Sequence, residues 1–189
     1  MALTATVAEP TTIATGWTVE QWLTLPEEMR CELVEGQVVV SPSPSLDHQR
    51  AVRNLLRHFD DHARTHGAEA FVAPLGVALS ATTALEPDVL YVADPSIYGP
   101  RIIEGAPDIV VEVSSPSGRR YDQVVKRELY ERFGVGEFWF VDLDEQRIEV
   151  HGPGTDGRFE PPVRTGVGET THSGVVADLA VPVDAVLPR

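Results

Sequence analysis

A carboxylate interrupts the stretch Pro107–Ser117, PDIVVEVSSPS, where the flanking residues otherwise make a buried strand. Ile109, Val110, Val111 and Val113 are β-branched and suit a pleated strand covered on both faces. Glu112 in their midst is expensive to desolvate unless something holds it. Upstream, Asp88 follows a proline at the head of a second apolar run, LEPDVLYV. Downstream, Asp122, Lys126 and Tyr130 recur at i, i+4 and i+8, along one face of a helix. Lys126 is the only lysine in the chain; every other one of its 15 Lys and Arg residues is an arginine.

Carboxylates from two adjacent strands make a site for Mg²⁺, a hard cation that takes oxygen ligands and keeps several waters. Mn²⁺ would fit the same donors, and the backbone carbonyl of Val113 can add a third. An ammonium beside them can lower the pKa of a metal-bound water and stabilise charge developing at phosphorus. Lysine suits that task because its charge is compact and its proton affinity adjustable. The chemistry expected is hydrolysis of a phosphodiester, with Asp88 and Glu112 on the metal and Lys126 positioning or activating water.

Each residue also has a plainer reading. Glu112 could be satisfied by Arg119 or Arg120. Asp88 could open a turn, as Asp108 does in the second Pro-Asp dipeptide. Lys126 could make an i, i+4 pair with Asp122 worth a few tenths of a kcal/mol, although Asp122 could equally orient the ammonium. Tyr130 reads as a packing residue and Glu35 as a turn residue. His48 and Gln49, near the start of the first long helix, could touch a water or a phosphate; a solvated helix-start histidine explains His48 as well. His62 and His66 end that helix, where histidine meets the dipole favourably.

These residues need elements to hold them. TVEQWLTLPEEM predicts a short helix capped by Thr18, and CELVEGQVVVSP a hairpin turning at Glu35-Gly36 and closed by Pro42. SLDHQRAVRNLLRHFDDHARTHG predicts a long helix stopped by Gly67. Strands are expected at about 69–79 and 87–93, separated by the turn SATTALE. The PDIVVEV strand, the turn SSPSGRR and a second long helix, YDQVVKRELYERFG, follow. GEFWFVD and QRIEVHG predict an antiparallel pair, and DLAVPVDAVL short strands. The order indicates an α/β or α+β sandwich with a mixed sheet.

The chain has 189 residues, enough for one sizeable core. We expect a mobile leader at 1–15 and a single domain at 16–189. No apolar run approaches the ~20 residues of a membrane-spanning helix. The start lacks the basic and apolar regions of a signal peptide, and Cys31 stands alone, which fits a reducing cytoplasm. The formal charge of −14 argues against a nucleic-acid coat protein and is compatible with divalent cations. The segments DLAVPVDAVL and GEFWFV suggest apolar surfaces for a homodimer.

The succession EPDVLYV … GAPDIVVEVSSPSGRRYDQVVKRELYERFGVGEFWFVD resembles the Uma-two-type family of bacterial endonucleases, within the PD-(D/E)XK nuclease superfamily. With ELVEGQVVVSPSPSLDHQ, the resemblance covers roughly residues 15–185. It implies a restriction-endonuclease-like fold: a central mixed β-sheet flanked by helices, with an N-terminal helix and β-hairpin. Asp88 matches the motif's Asp and Glu112 its second acid. The superfamily lysine falls two residues after that acid, where this chain has Ser114; in the resembling family it has moved to the following helix, matching Lys126. That family also has a common acidic residue near Glu35. Two functions remain open. One is a Mg²⁺-dependent endonuclease hydrolysing DNA. The other is a catalytically silent member acting as a binding or assembly module, favoured by the acidic balance and the displaced lysine.

Overall fold

The structure, a computed structural model, describes residues 10–26, 28–40, 43–115 and 119–187. It opens with β1 (Thr11–Thr15), α1 (Val19–Trp22), β2 (Cys31–Val34), β3 (Gln37–Val40) and α2 (Leu46–His66). Next come β4 (Glu69–Val72), β5 (Val77–Ser80), β6 (Thr83–Leu85), β7 (Val89–Val92), β8 (Ile103–Glu104) and β9 (Ile109–Val113). A π-helical turn, Tyr121–Lys126, runs on into α3 (Arg127–Arg132). After it stand β10 (Glu137–Asp142), β11 (Arg147–His151), β12 (Val163–Gly166), β13 (Thr170–His172), β14 (Ala180–Pro182) and α4 (Val183–Val186).

The central sheet has the order β12-β11-β10-β9-β7-β4. It is mixed: β9 and β10 run parallel while the other neighbours are antiparallel. A parallel pair needs a crossover, and here it is the helix at Tyr121–Arg132. Alternation sends Ile109, Val111 and Val113 of β9 to one face, where they pack with Trp139, Val141 and the α2 residues Val52, Leu55 and Phe59. Val110 goes to the other face, with Phe138 and Phe140 of β10 and with Leu129 and Tyr130 of α3. Glu112 lies opposite Phe140 in the register and therefore shares the face covered by the crossover helix.

The restriction-endonuclease-like architecture thus has helices on both faces of the central sheet. A second six-stranded sheet, β1-β3-β2-β6-β5-β8, packs Val34, Val39 and Leu85 into the same cluster as α3. The hairpin β2–β3 turns at Glu35 and Gly36, with φ of 49° and 79°. Two residues at positive φ give a turn whose twist matches the strands it joins. Helix α2 is capped by the Ser45 side chain, which accepts from the His48 N–H, and ended by Gly67 at φ 71°.

Several local expectations differ from the structure. The strand foreseen at 69–79 is broken at Ala73–Gly76 into β4 and β5, which belong to different sheets, and SATTALE contains β6 rather than only a turn. Thr11–Thr15 of the expected leader pairs with β3 as β1. The rest of that leader up to residue 9, the close of the hairpin at Pro42 and the middle of SSPSGRR lie outside the described residues. GEFWFV contributes to the fully buried, central strand β10. DLAVPVDAVL becomes β14 and α4, with Val181, Val183 and Val186 packed in the α2 core. Both segments that suggested assembly surfaces are consumed within the chain. His66 Nδ1 meets the His62 carbonyl at 2.9 Å, as a helix-end histidine should, but His62 reaches further, to Tyr91 Oη and the Ala177 carbonyl, each at 3.0 Å.

Phe59 is fully buried and meets Tyr91 and Trp139 edge-on, at centroid distances of 6.0 and 5.4 Å. Phe59→Ala should cost about 3–5 kcal/mol. Urea unfolding of the two proteins measures it.

Candidate functional site

Glu112 is held against Lys126 and Tyr130. Its Oε1 accepts from the Lys126 ammonium at 3.1 Å and from the Tyr130 hydroxyl at 2.7 Å. All three are buried, Glu112 being 3% and Lys126 4% exposed. Of the arginines named as alternative partners, Arg119 pairs with Asp142 and Asp144 instead. Tyr130 is therefore more than packing, since its hydroxyl holds the acid. Lys126 is not a surface pair partner. Asp122 is its most distant carboxylate, at 3.6 Å, and Glu32 its nearest, at 2.8 Å.

Glu32 went unrecognised in the sequence. It stands on β2 of the second sheet, 2% exposed, and its Oε1 also accepts the backbone N–H of Glu86 at 2.8 Å. One oxygen thereby ties the second sheet, the crossover helix and the β6–β7 connection together. The available signal was the pattern CELV, an acid amid apolar neighbours as at Glu112. Glu35, the nearby candidate, instead pairs with Arg132 at 2.8 Å, with both side chains exposed.

Asp88 sits where the chain passes into β7. Its Oδ2 accepts the Val113 N–H at 2.8 Å and contacts His48 Nε2 at 3.0 Å. The carboxylate thus takes over a strand amide beyond the last β7–β9 partner pair, Val89–Val111. An extended residue points its N–H and C=O the same way, so the Val113 carbonyl is turned toward Asp88 as well. Asp108 instead accepts from the Ala93 N–H at 2.7 Å and serves the neighbouring loop. Asp88, Glu112, Val113, Lys126, His48 and Asp122 all line one pocket.

The π-helical turn shapes this pocket. Closed by i→i+5 hydrogen bonds, it brings residues five apart to the same side, whereas an α-helix turning ~100° per residue would separate them. Tyr121 and Lys126, five apart, both line the pocket.

One ammonium faces several carboxyls. Burial works against the Lys126 charge, but Glu112, Glu32 and Asp122 outweigh it and hold the ammonium well above its usual pKa. It stays protonated. Burial raises the Glu112 carboxyl above its usual range, with Lys126 opposing. Burial also raises Asp122 to about 6, and burial with the Glu32 charge raises Glu86 to about 7.

Among the described residues no three His, Cys, Asp or Glu side chains converge as a metal cage. The donors present are two carboxylates from neighbouring strands and a carbonyl, a set that suits Mg²⁺ with waters completing its shell. An excess of acid over base, and a buried Glu32 Oε2 without a partner among the described residues, make the pocket receptive to a cation.

Fold and family together make this a nuclease-type chain. The fold is shared with a solved structure from Anabaena variabilis described as "a putative nuclease belonging to DUF820". The TM-score is 0.72 at 20% identity, over 90% of this chain and 97% of that one. Residues 18–184 match the Uma2 family, "Putative restriction endonuclease", and the chain belongs to that family. No curated protein matches it. No helix among the described residues is long and apolar enough to cross a membrane.

Because folding raises the pKa values of Glu86 and Asp122, the folded state binds more protons than the unfolded chain between about pH 4 and pH 7. The stability these two groups contribute should be fully present below that window and be lost across it. Glu86→Gln should flatten the fall, by on the order of 2–3 kcal/mol at pH 8. Denaturant midpoints from pH 4 to pH 8, without divalent metal, give both curves.

Proposed function

We propose that the protein is a Mg²⁺-dependent endonuclease that hydrolyses DNA phosphodiester bonds in the pocket between Asp88 and Lys126. One observation carries the reading. Four buried side-chain atoms lack a hydrogen-bond partner among the described residues, and three of them, Glu32 Oε2, His48 Nδ1 and Tyr121 Oη, belong to residues lining this pocket. Unsatisfied buried polar atoms are costly, and their gathering in one place indicates a polar ligand.

Asp88, Glu112 and the Val113 carbonyl would hold Mg²⁺, with Mn²⁺ as a substitute. Bound there, the metal would supply Lewis-acid stabilisation of phosphoryl oxygen charge and a water of lowered pKa. His48 and the Val113 N–H fix Asp88, and neutral Tyr130 fixes Glu112, so the carboxylates face substrate already oriented. Lys126 acts as a fixed positive charge rather than a base, because its carboxylate neighbours keep it protonated. Two of its N–H bonds serve Glu32 and Glu112. The third, loosely directed to Asp122, is available to a phosphoryl oxygen as charge builds there. Water attacks phosphorus as the bond from phosphorus to the sugar oxygen breaks, and the proton that the water loses ends on the departing sugar oxygen.

Mg²⁺ or Mn²⁺ should raise the melting temperature by mass action, and Asp88→Ala should abolish the rise while the protein stays folded. Thermal unfolding with metal and with chelator tests this; an undiminished rise in the variant removes Asp88 from the site.

Lys126→Arg keeps the charge but replaces a compact ammonium with a planar fork. Cleavage of plasmid or single-stranded DNA should slow by on the order of 100-fold. Lys126→Ala leaves buried acids unpaired and should cost about 3–5 kcal/mol of stability. Rates measured well below each melting temperature separate the two effects. Parent protein inert toward both DNAs with either metal would support the silent binding module instead.

A further inference from the structure

Beside the acidic pocket lies a second cavity of about 350 Å³, within the range of small-ligand sites. Apolar side chains, Trp22, Leu25, Met29 and Leu75 among them, line it beside polar groups in about equal share, and it shares Cys31 and Glu86 with the acidic pocket. Trp22 is fixed there. Its indole N–H donates to the Cys31 carbonyl at 3.0 Å, and the ring abuts Gly76 so closely that a Cβ would come within 2.8 Å of it. Arg101, anchored to the Leu23 carbonyl at 3.1 Å, adds hydrogen-bond donors, and Glu86 adds a carboxyl at the wall common to both cavities.

The charge of the chain bears independently on what this cavity holds. Proteins that grip a duplex do so largely through Lys and Arg on phosphates. This chain has a formal charge of −14, and the cations lining its acidic pocket are Lys126 and Arg30. Beyond Lys126 and the metal, affinity for a polyanion must then come largely from the bases. Stacking and apolar contact supply it, about tenfold per base, and tolerate any sequence. A base is free for such contact only when it is unstacked.

We propose that this cavity takes an unstacked nucleobase adjoining the phosphate held at Asp88 and Lys126, so that the substrate is single-stranded or locally melted DNA. The inference rests on the nuclease reading above and names its substrate. The apolar wall receives the ring, Glu86 and Arg101 face its polar edge, and the shared wall spans the step from phosphate to base. Binding then depends strongly on the bases and weakly on salt.

The test uses the whole chain with Ca²⁺ and two fluorescent probes: a short oligothymidylate strand, and the same backbone carrying stable abasic residues. The base-bearing strand should bind about tenfold tighter or better, in line with one stacked base. Met29 is 39% exposed, so Met29→Glu should fold with an unchanged melting temperature. It should reduce the preference to under about threefold, since a carboxylate then enters the apolar wall. A parent that binds both strands equally, yet cuts DNA with Mg²⁺, gives the cavity to some other occupant and overturns the proposal while sparing the nuclease. A preference undiminished in Met29→Glu overturns it too. A parent that neither binds nor cuts any DNA removes the nuclease reading, and this inference falls with it.

Discussion

The site depends on one buried ammonium surrounded by acids that would otherwise repel one another. Lys126 lies 2.8 Å from Glu32, 3.1 Å from Glu112 and 3.6 Å from Asp122, residues drawn from β2, β9 and the crossover helix. Without it, like charges would face each other away from water. Apolar residues of equal volume would often be at least as stable as such a cluster. Its presence in the core is an argument for chemistry rather than for stability.

The fold leaves little freedom in where these groups meet. A parallel β9–β10 pair demands a crossover, and the crossover helix must bury Leu129 and Tyr130 on a sheet face. Alternation along β9 puts Glu112 on that same face. Four residues of α-helix then set Tyr130 and Lys126 above one another, so both reach one carboxylate oxygen. The second sheet closes the arrangement from the far side, with Glu32 bridging Lys126 and the Glu86 amide.

What could be read beforehand was whatever a local pattern carries. The β-branched run around Glu112, the Pro-Asp before β7 and the i, i+4, i+8 spacing from Asp122 to Tyr130 each announce themselves within one element. The order of those motifs indicated the family and, through it, the fold. Glu32 is hard to single out because its partner lies 94 positions away on the crossover helix, and an acid among the apolar neighbours of CELV does not by itself name that partner. Tyr130 was undervalued for a similar reason, its hydroxyl being explained only by Glu112 across the sheet. The break at Ala73–Gly76 has a local mark in Pro74 and Gly76, but that β4 and β5 join different sheets is not written in those residues. Burial of the GEFWFV strand likewise depends on β9 and β11 flanking it, which composition does not reveal.

The π-helical turn has one consequence for how this chain can vary in length. Residues five apart share a side of such a turn, as residues four apart do in an α-helix. Removing one residue between Tyr121 and Lys126 would relax the turn to ordinary α geometry and leave these two still one above the other. Val124, 45% exposed on the outer side, is the natural residue to lose. The turn works as a length buffer, taking up a gained or lost residue next to the chemistry without rotating the lysine away from its acids.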